Sequence, residues 1–392
     1  MNPWPEPILH LFANFKWTGP ADPAIRCAAA LRRLGADVCF AQAAWTLPRA
    51  EHRMALELAR ARMPVIGGLE LRKHFALFSL QRDAVRLARR LQRGDFALLH
   101  THLLADHLIA ALARRRARRG TILVRSLYEP EAPRRGWRER LAFGLTDGVV
   151  APTRACAEGV QRRFGLPPER ILVQEPPVPQ TRRHLRGDLR DELGLRPGDF
   201  AIGITARIQR HRCFDLLWEV ARRVVDQEPR ARFVLLGRGN ERDTRELVTE
   251  PVARLRLQAH VILPGYLYEP RYSLALRSLQ AFCFLVPGSD GTCRAVREAM
   301  ALGLPVVATR RGMLPELLGP GPDGDPAEPC GLAVDEDAGT LAAALTSLLR
   351  DPARREALVA RTLRKVEVHM DESRAAQRLL AFYAGLARGA AP

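Results

Sequence analysis

Short runs of apolar residues recur along this chain, separated by polar, arginine-bearing stretches of helical period. In the first half the runs are Ile8–Phe12, Val38–Ala41, Pro64–Gly67, Phe96–His100, Thr121–Arg125, Gly148–Pro152 and Ile171–Val173. Between most of them lie helix-period segments such as Ala24–Leu34, Leu80–Gln92 and Leu104–Arg118. Strands that are apolar throughout are buried on both faces, and helices between them supply the cover. The pattern predicts a parallel sheet with helices on both sides. The stretch QEPPVPQTRRHLRGD, at about 174–187, is rich in proline and polar residues and reads as a linker. The alternation then restarts with Phe200–Ile204, Arg232–Leu236, His260–Leu263, Ala281–Val286, Pro305–Ala308 and Gly331–Val334. A last helix is expected over Asp371–Leu386, after a break near His369.

The expected fold class is therefore α/β, with two doubly wound, Rossmann-like domains. Residues 1–178 form the first, 179–368 the second, and 369–392 a closing helix. Ligands of open parallel sheets bind beyond the carboxyl ends of the strands. Two such domains in tandem are expected to face one another across a cleft lined by those ends.

Composition narrows the classes. The 392 residues are 47% hydrophobic, enough for two cores, and carry a net charge of +18. Residues 1–180 hold 29 basic and 16 acidic residues, against 32 and 27 in the remainder. The excess in the first half suits an anionic surface or ligand, or else simply solvated arginine-rich helix faces. The seven cysteines, at 27, 39, 156, 213, 283, 293 and 330, show no C-x-x-C and fit reduced thiols of a cytosolic protein. No signal peptide is expected, and no stretch approaches the roughly 18 apolar residues of a membrane span.

The chemistry concentrates in GSDGTCRAVREAMALGLPVVAT, Gly288–Thr309. A strand ends, a flexible corner follows, and a helix is expected over Thr292–Leu302. The N–H groups of Thr292, Cys293 and Arg294 would then form an anion site at the helix start, with Gly291 allowing close backbone approach. Asp290 and Glu298 would flank it as acceptors for sugar and ribose hydroxyls. The plainer alternative makes Asp290 an N-cap and Arg294 with Glu298 a surface pair. In the same half, FAIGIT runs into a loop bearing Arg207, Arg210, His211 and Arg212, able to neutralise a diphosphate. FVLLGRGN and VILPGYL place Gly237 and Gly265 just after strands, which suits a flat base or ribose lying on the backbone.

These motifs, in this order, resemble those of retaining glycosyltransferases of the GT-B fold that use nucleotide-sugar donors and carry an E-x7-E pair. TARIQRHRCFDLL resembles the family's G-R-L-x-x-x-K-G-x-D-x-L block, FVLLGRGN its G-x-G strand end, and HVILPGYL its V-x-F-x-G-x-V strand. GSDGTCRAVREAMALGLPVVATRRGMLPELL resembles its E-G-F-G-x-x-x-x-E-A-M-A block. The first half matches more loosely, through LLHTH and DGVVAPTRACAEGV.

The resemblance implies catalytic roles for Asp290, Glu298, Arg207 and Arg212. Glu298 would bind the ribose, Asp290 would stand near the donor sugar, and the arginines would hold the diphosphate. Donor contacts are expected from Gly237, Gly265, Tyr266, Leu267, Gly291, Thr292, Cys293 and Arg294. Acceptor-side candidates are Trp17, Thr18 and Gly19, where relatives have a glycine pair, with His102 and Tyr128. Tyr128 or Arg125 stands near a position that is often His. Asp290 replaces Glu, Arg212 replaces Lys, and GTC replaces G-F-G. The closing helix would return to the first domain, and neither a cofactor nor a metal is expected. Asp323 and Asp325 in PDGDP read as turn residues.

The expected activity is retaining transfer from a UDP- or GDP-like donor to a glycan or lipid-linked acceptor in cell-envelope polysaccharide assembly. The expected place is the cytoplasm, peripheral on the inner face of the cytoplasmic membrane, with the basic first domain against anionic lipid. The arginine run Ala113–Arg119 suits either that contact or a helix end. Alternatives are a nucleotide-sugar epimerase of the same fold and a catalytically degenerate nucleotide-sugar-binding relative. No nucleic-acid reader motif is present.

Overall fold

The apolar runs form two separate parallel sheets in a computed structural model, which describes residues 4, 6–47, 50–72, 77–178, 185–286, 291–320 and 328–389. The chain divides into two compact units: Met1–Pro177 with His369–Pro392, and Val178–Val368.

The first unit holds β1 (Ile8–Phe12), β2 (Val38–Gln42), β3 (Leu98–Thr101), β4 (Ile122–Ser126), β5 (Gly148–Ala151) and β6 (Ile171–Val173). Their order is β2-β1-β3-β4-β5-β6, parallel throughout. The chain order reverses between β1 and β3, where His10 lies beside His100 in register. Expected strand Pro64–Gly67 is reduced to one bridge, Phe40 to Val65, on the edge of β2. Proline lacks an N–H and glycine loses more entropy on ordering, so the segment holds only the bonds around Phe40.

Alternate residues of these strands feed two cores. Ile8, Phe12, Phe40 and Ile122 pack with Leu379, Leu380 and Tyr383 of the helix Glu372–Gly389. Leu9, Leu11, Leu99 and Leu123 pack on the other face with Leu87 and Ile109. The closing helix thus completes the first unit. Its Leu379, Leu380, Tyr383 and Leu386 follow helical spacing, and Glu372 pairs with Arg26 at 3.0 Å and Arg33 at 2.6 Å. Gly148 makes room for it, because a Cβ there would lie 2.5 Å from Leu386 Cδ1.

The second unit holds β7 (Phe200–Thr205), β8 (Ala231–Leu236), β9 (Val261–Gly265), β10 (Ala281–Phe284), β11 (Val306–Thr309) and β12 (Leu332–Val334), in the order β12-β11-β10-β7-β8-β9. The reversal falls between β7 and β10, the switch point of a doubly wound sheet. Helices Phe214–Gln227 and Ala338–Arg350 join β7 and β8 in its core, around fully buried Trp218 and Phe233. Burying each such side chain contributes about 1.5–3 kcal/mol.

Candidate functional site

In the second unit the carboxyl ends of β7–β10 bring the expected donor residues to one sheet edge. The loop leaving β7 lies along the loop leaving β8, with Ala206 N–H donating to Leu236 O at 3.2 Å and Ile208 N–H to Arg238 O at 3.0 Å. This contact demands the glycines of GRGN. A Cβ on Gly237 would lie 1.8 Å from Ala206 O, and one on Gly239 would lie 2.7 Å from Ile208 Cβ. Packing against Ala206 is therefore reason enough for glycine at 237, which is half-buried. Gly265 is different: its φ is +80° and no described residue lies within 4 Å of an added Cβ.

Arg212 reaches across the switch point. Its Nη1 donates to Val286 O, beyond β10, at 3.2 Å. Beside it is a cavity of about 20 Å³, lined in part by Thr205, Phe284 and Val286, with room for about one water. Arg207 is exposed and makes no ion pair with a described residue, whereas Arg210 is taken up by Glu246. Of the basic loop residues, Arg210 is thus paired with a described carboxylate, while Arg212 is held on the Val286 carbonyl. That arrangement places cationic charge where strand ends receive a ligand.

The corner after β10 differs from expectation. Residues 287–290 and 321–327 lie outside the described residues, so the expected roles of Asp290, Asp323 and Asp325 have no structural account. Thr292 and Cys293 are buried, and Cys293 adopts φ +47°, ψ +46°. A left-handed residue cannot continue a right-handed helix, so the helix begins at Arg294 and runs to Ala301. Cys293 is therefore the N-cap, and the helix-start N–H groups begin with Arg294, not Thr292. Cys213 repeats the device with φ +55° before Phe214–Gln227. Both cysteines stand where the resembling motifs have glycine. Glu298 is 8% exposed on the helix Arg294–Ala301. Arg297 beside it is buried, and its Nε donates to Thr292 O at 2.8 Å, tying the corner to the helix. Sequence reasoning missed Arg297, whose only signal is its spacing of five from Thr292.

At the ends of β8 and β9, the Arg238 guanidinium sits 5.1 Å over the Tyr266 ring. Tyr268 meets that ring edge-on at 4.8 Å, and both tyrosines are more than half exposed. Leu267 between them is half-buried. An exposed ring beside a cation can stack a flat heterocycle.

The first unit builds its own edge. Trp17, Thr18 and Gly19 are half-buried on the loop between β1 and the helix Ala21–Arg33. Asp106, unremarked in the sequence, accepts from Ala13 N–H at 3.0 Å, His102 N–H at 3.1 Å and Leu103 N–H at 2.9 Å. It pins the loops after β1 and β3 together. Burial pushes its carboxyl up to about 7, against the lowering effect of those N–H bonds. His102 Nδ1 bonds Tyr128 OH at 2.7 Å, so two expected acceptor-side residues touch. Arg125, the other group considered there, is buried in a pair with Glu139 at 2.6 Å. Among the described residues no group of three or more His, Cys, Asp or Glu is arranged to hold a metal.

Two parallel, doubly wound α/β units, the second with an arginine-bearing switch point, define the GT-B class of fold. A family model described as "Glycosyl transferases group 1" matches residues 186–365, and one described as "Glycosyltransferase Family 4" matches 24–182. The chain belongs to this glycosyltransferase family. It is 30% identical over 217 residues to WcaL of Salmonella typhimurium, named for colanic acid biosynthesis, covering 53% of this chain and 49% of that protein. It is 28% identical over 309 residues to a D-inositol 3-phosphate glycosyltransferase of Rhodococcus opacus, covering 72% and 66%. The chain thus spans about half to two thirds of these relatives' length. HepE of Anabaena, solved with UDP, superposes with a TM-score of 0.76 at 18% identity, covering 96% of this chain and 99% of that one.

Proposed function

We propose that this chain is a retaining glycosyltransferase that moves a sugar from a nucleotide diphosphate sugar, UDP- or GDP-like, to a glycan or lipid-linked acceptor of cell-envelope polysaccharide. The observation that carries this reading is Arg212 anchored on Val286 O across the switch point, with Arg207 on the same loop. When the sugar leaves, negative charge grows on the diphosphate. Two guanidinium groups and the N–H groups at the start of Arg294–Ala301 stabilise that charge where it develops. They take the part a divalent cation would otherwise play, so activity is expected to survive EDTA. Glu298 stands as the second carboxylate of the pair and accepts from ribose hydroxyls, while the Tyr266 platform lies against the base. Family membership and the UDP complex of HepE support the donor class.

The acceptor side falls to the first unit, with Trp17, Thr18, Gly19, His102 and Tyr128. The reading places the enzyme in the cytoplasm, peripheral on the membrane. No helix among the described residues is long and apolar enough to cross a membrane. Phe78 is 94% exposed and Trp137 65% exposed, each on an arginine-bearing helix of the first unit. Such residues suit a shallow anionic lipid contact. Sedimentation with phosphatidylglycerol vesicles tests that part.

A thermal-shift series with UDP, GDP, ADP and CMP tests the donor, since a ligand of the native state raises the melting temperature. Transfer from the nucleotide sugar so identified into a membrane extract then tests the reaction. Full transfer by Glu298→Ala and Arg212→Ala would sink the assignment of roles.

A further inference from the structure

Three histidines lie face to face inside the first unit. His10 on β1 sits beside His100 on β3 with ring centroids 4.7 Å apart, and His102 lies 4.7 Å from His100 and 5.2 Å from His10. All three are buried. His100 is closed at both nitrogens, by Tyr383 OH at 2.5 Å and Ser126 Oγ at 2.7 Å. His10 and His102 form a chain instead: His10 Nδ1 to His102 Nε2 at 3.0 Å, then His102 Nδ1 to Tyr128 OH at 2.7 Å. His10 Nε2, at the inner end, is buried without a hydrogen-bond partner among the described residues.

That inner end decides the direction of the whole chain. A neutral imidazole carries one N–H and one lone pair. If His10 carried its proton on Nε2, a buried N–H would be orphaned. If it carries it on Nδ1, only a lone pair is left without a partner. Orphaned buried donors are the rarer of the two. His10 then donates to His102 Nε2, His102 must hold its own proton on Nδ1, and that proton goes to the Tyr128 oxygen. Burial holds both rings neutral, His10 down to about 3 and His102 well below the ordinary value.

We propose that His10 and His102 are locked as Nδ1–H tautomers and thereby set Tyr128 as a hydrogen-bond donor to a ligand oxygen at the carboxyl end of the first unit's sheet. Tyr128 is half-buried two residues beyond β4, at the edge where parallel sheets receive ligands. Taken with the proposed glycosyl transfer, on which this part rests, the ligand is a sugar oxygen with a lone pair to offer. His10 is then a positioning residue: it acts through His102 and touches no substrate. A chain set this way favours a ligand acceptor and disfavours a donor at the same spot, since the phenol oxygen is already engaged by His102.

The test uses the full chain labelled with 15N-histidine. Long-range proton–nitrogen correlation at pH 7 reads which nitrogen carries the proton in each ring, with no need of a substrate. His10→Gln and His102→Gln identify the two signals, and Tyr128→Phe identifies His102 should either variant fail to fold. Nδ1–H on both rings is expected. Nε2–H on either ring, or an imidazolium, overturns the proposal. In transfer assays with UDP-glucose, Tyr128→Phe is expected to lower kcat/KM about tenfold or more. Its melting temperature and its shift on adding UDP should stay at the wild-type values. An unchanged kcat/KM overturns the donor role whatever the tautomers. If the wild type transfers from no donor, the glycosyltransferase reading fails, and the tautomer measurement alone decides the proposal.

Discussion

The two sheets reverse at corresponding places and fill them with opposite chemistry. Between β1 and β3 the first unit buries neutral imidazoles, bonded to one another, two tyrosines and a serine, with His10 Nε2 alone among their nitrogens left without a partner among the described residues. Between β7 and β10 the second unit places Arg212 on a backbone carbonyl, half-buried, beside a cavity of about 20 Å³. One point is sealed and uncharged, while the other carries a positive charge at the strand ends. Topology says where a site sits, and the residue types there decide whether it can hold an anion.

Four measurements break or sharpen this contrast. The largest effect is expected from Tyr383→Ala, which empties the core of the sealed unit. Tyr383 is fully buried against His100, so the loss should be about 3–5 kcal/mol in urea unfolding. Equal weakening of Val178–Val368, followed by hydrogen exchange, would deny that the units are separate. Next comes Arg212→Ala, expected to lower kcat by about 10²–10³, or about 3–4 kcal/mol, without a change in melting temperature. Arg212→Lys should fall between, because it keeps the charge and loses the planar fork.

The third is acid. A histidine whose folded pKa lies below its unfolded 6.5 binds its proton more tightly when unfolded. Its contribution is whole above 6.5 and is lost as pH falls toward about 3 for His10. His100, His102 and His107 are shifted the same way by burial. Asp106 runs oppositely: raised from 3.8 to about 7, it favours the folded state as pH falls through that window. From pH 7 to 5.5 each histidine costs about 1 kcal/mol and Asp106 returns a similar amount, so the net loss is about 3 kcal/mol at most. Melting curves at both pH values, with exchange resolved by unit, should show the loss in the first unit alone. The smallest effect is expected from Tyr266→Ala, which removes one face of the exposed platform. Nucleotide affinity should fall about fivefold by calorimetry, matching a stacking contribution of about 1 kcal/mol.

Much of this was legible in the sequence, for identifiable reasons. Strands buried on both faces are apolar along most of their length, so a run such as Ile8–Phe12 marked its own ends. The same holds for Arg207 and Arg212, which follow an unmistakable strand. What stayed hidden depends on register or backbone geometry. Nothing in the sequence shows that His10 meets His102, since only the placing of β1 beside β3 joins them. Asp106 looks like any helical aspartate until three backbone N–H groups close on it. The left-handed turn at Cys293 was illegible because glycine, the usual marker, is missing, and the helix start was misplaced by two residues.

The helix Glu372–Gly389 supplies Ala376, Leu379, Leu380, Tyr383 and Leu386 to a core whose other buried members lie before residue 178. During synthesis those partners emerge first and must wait while some two hundred further residues are added. Val178–Val368 is continuous and needs no such delay. The first half is therefore the last to be completed, because its closing helix is synthesised only after the whole of the second half.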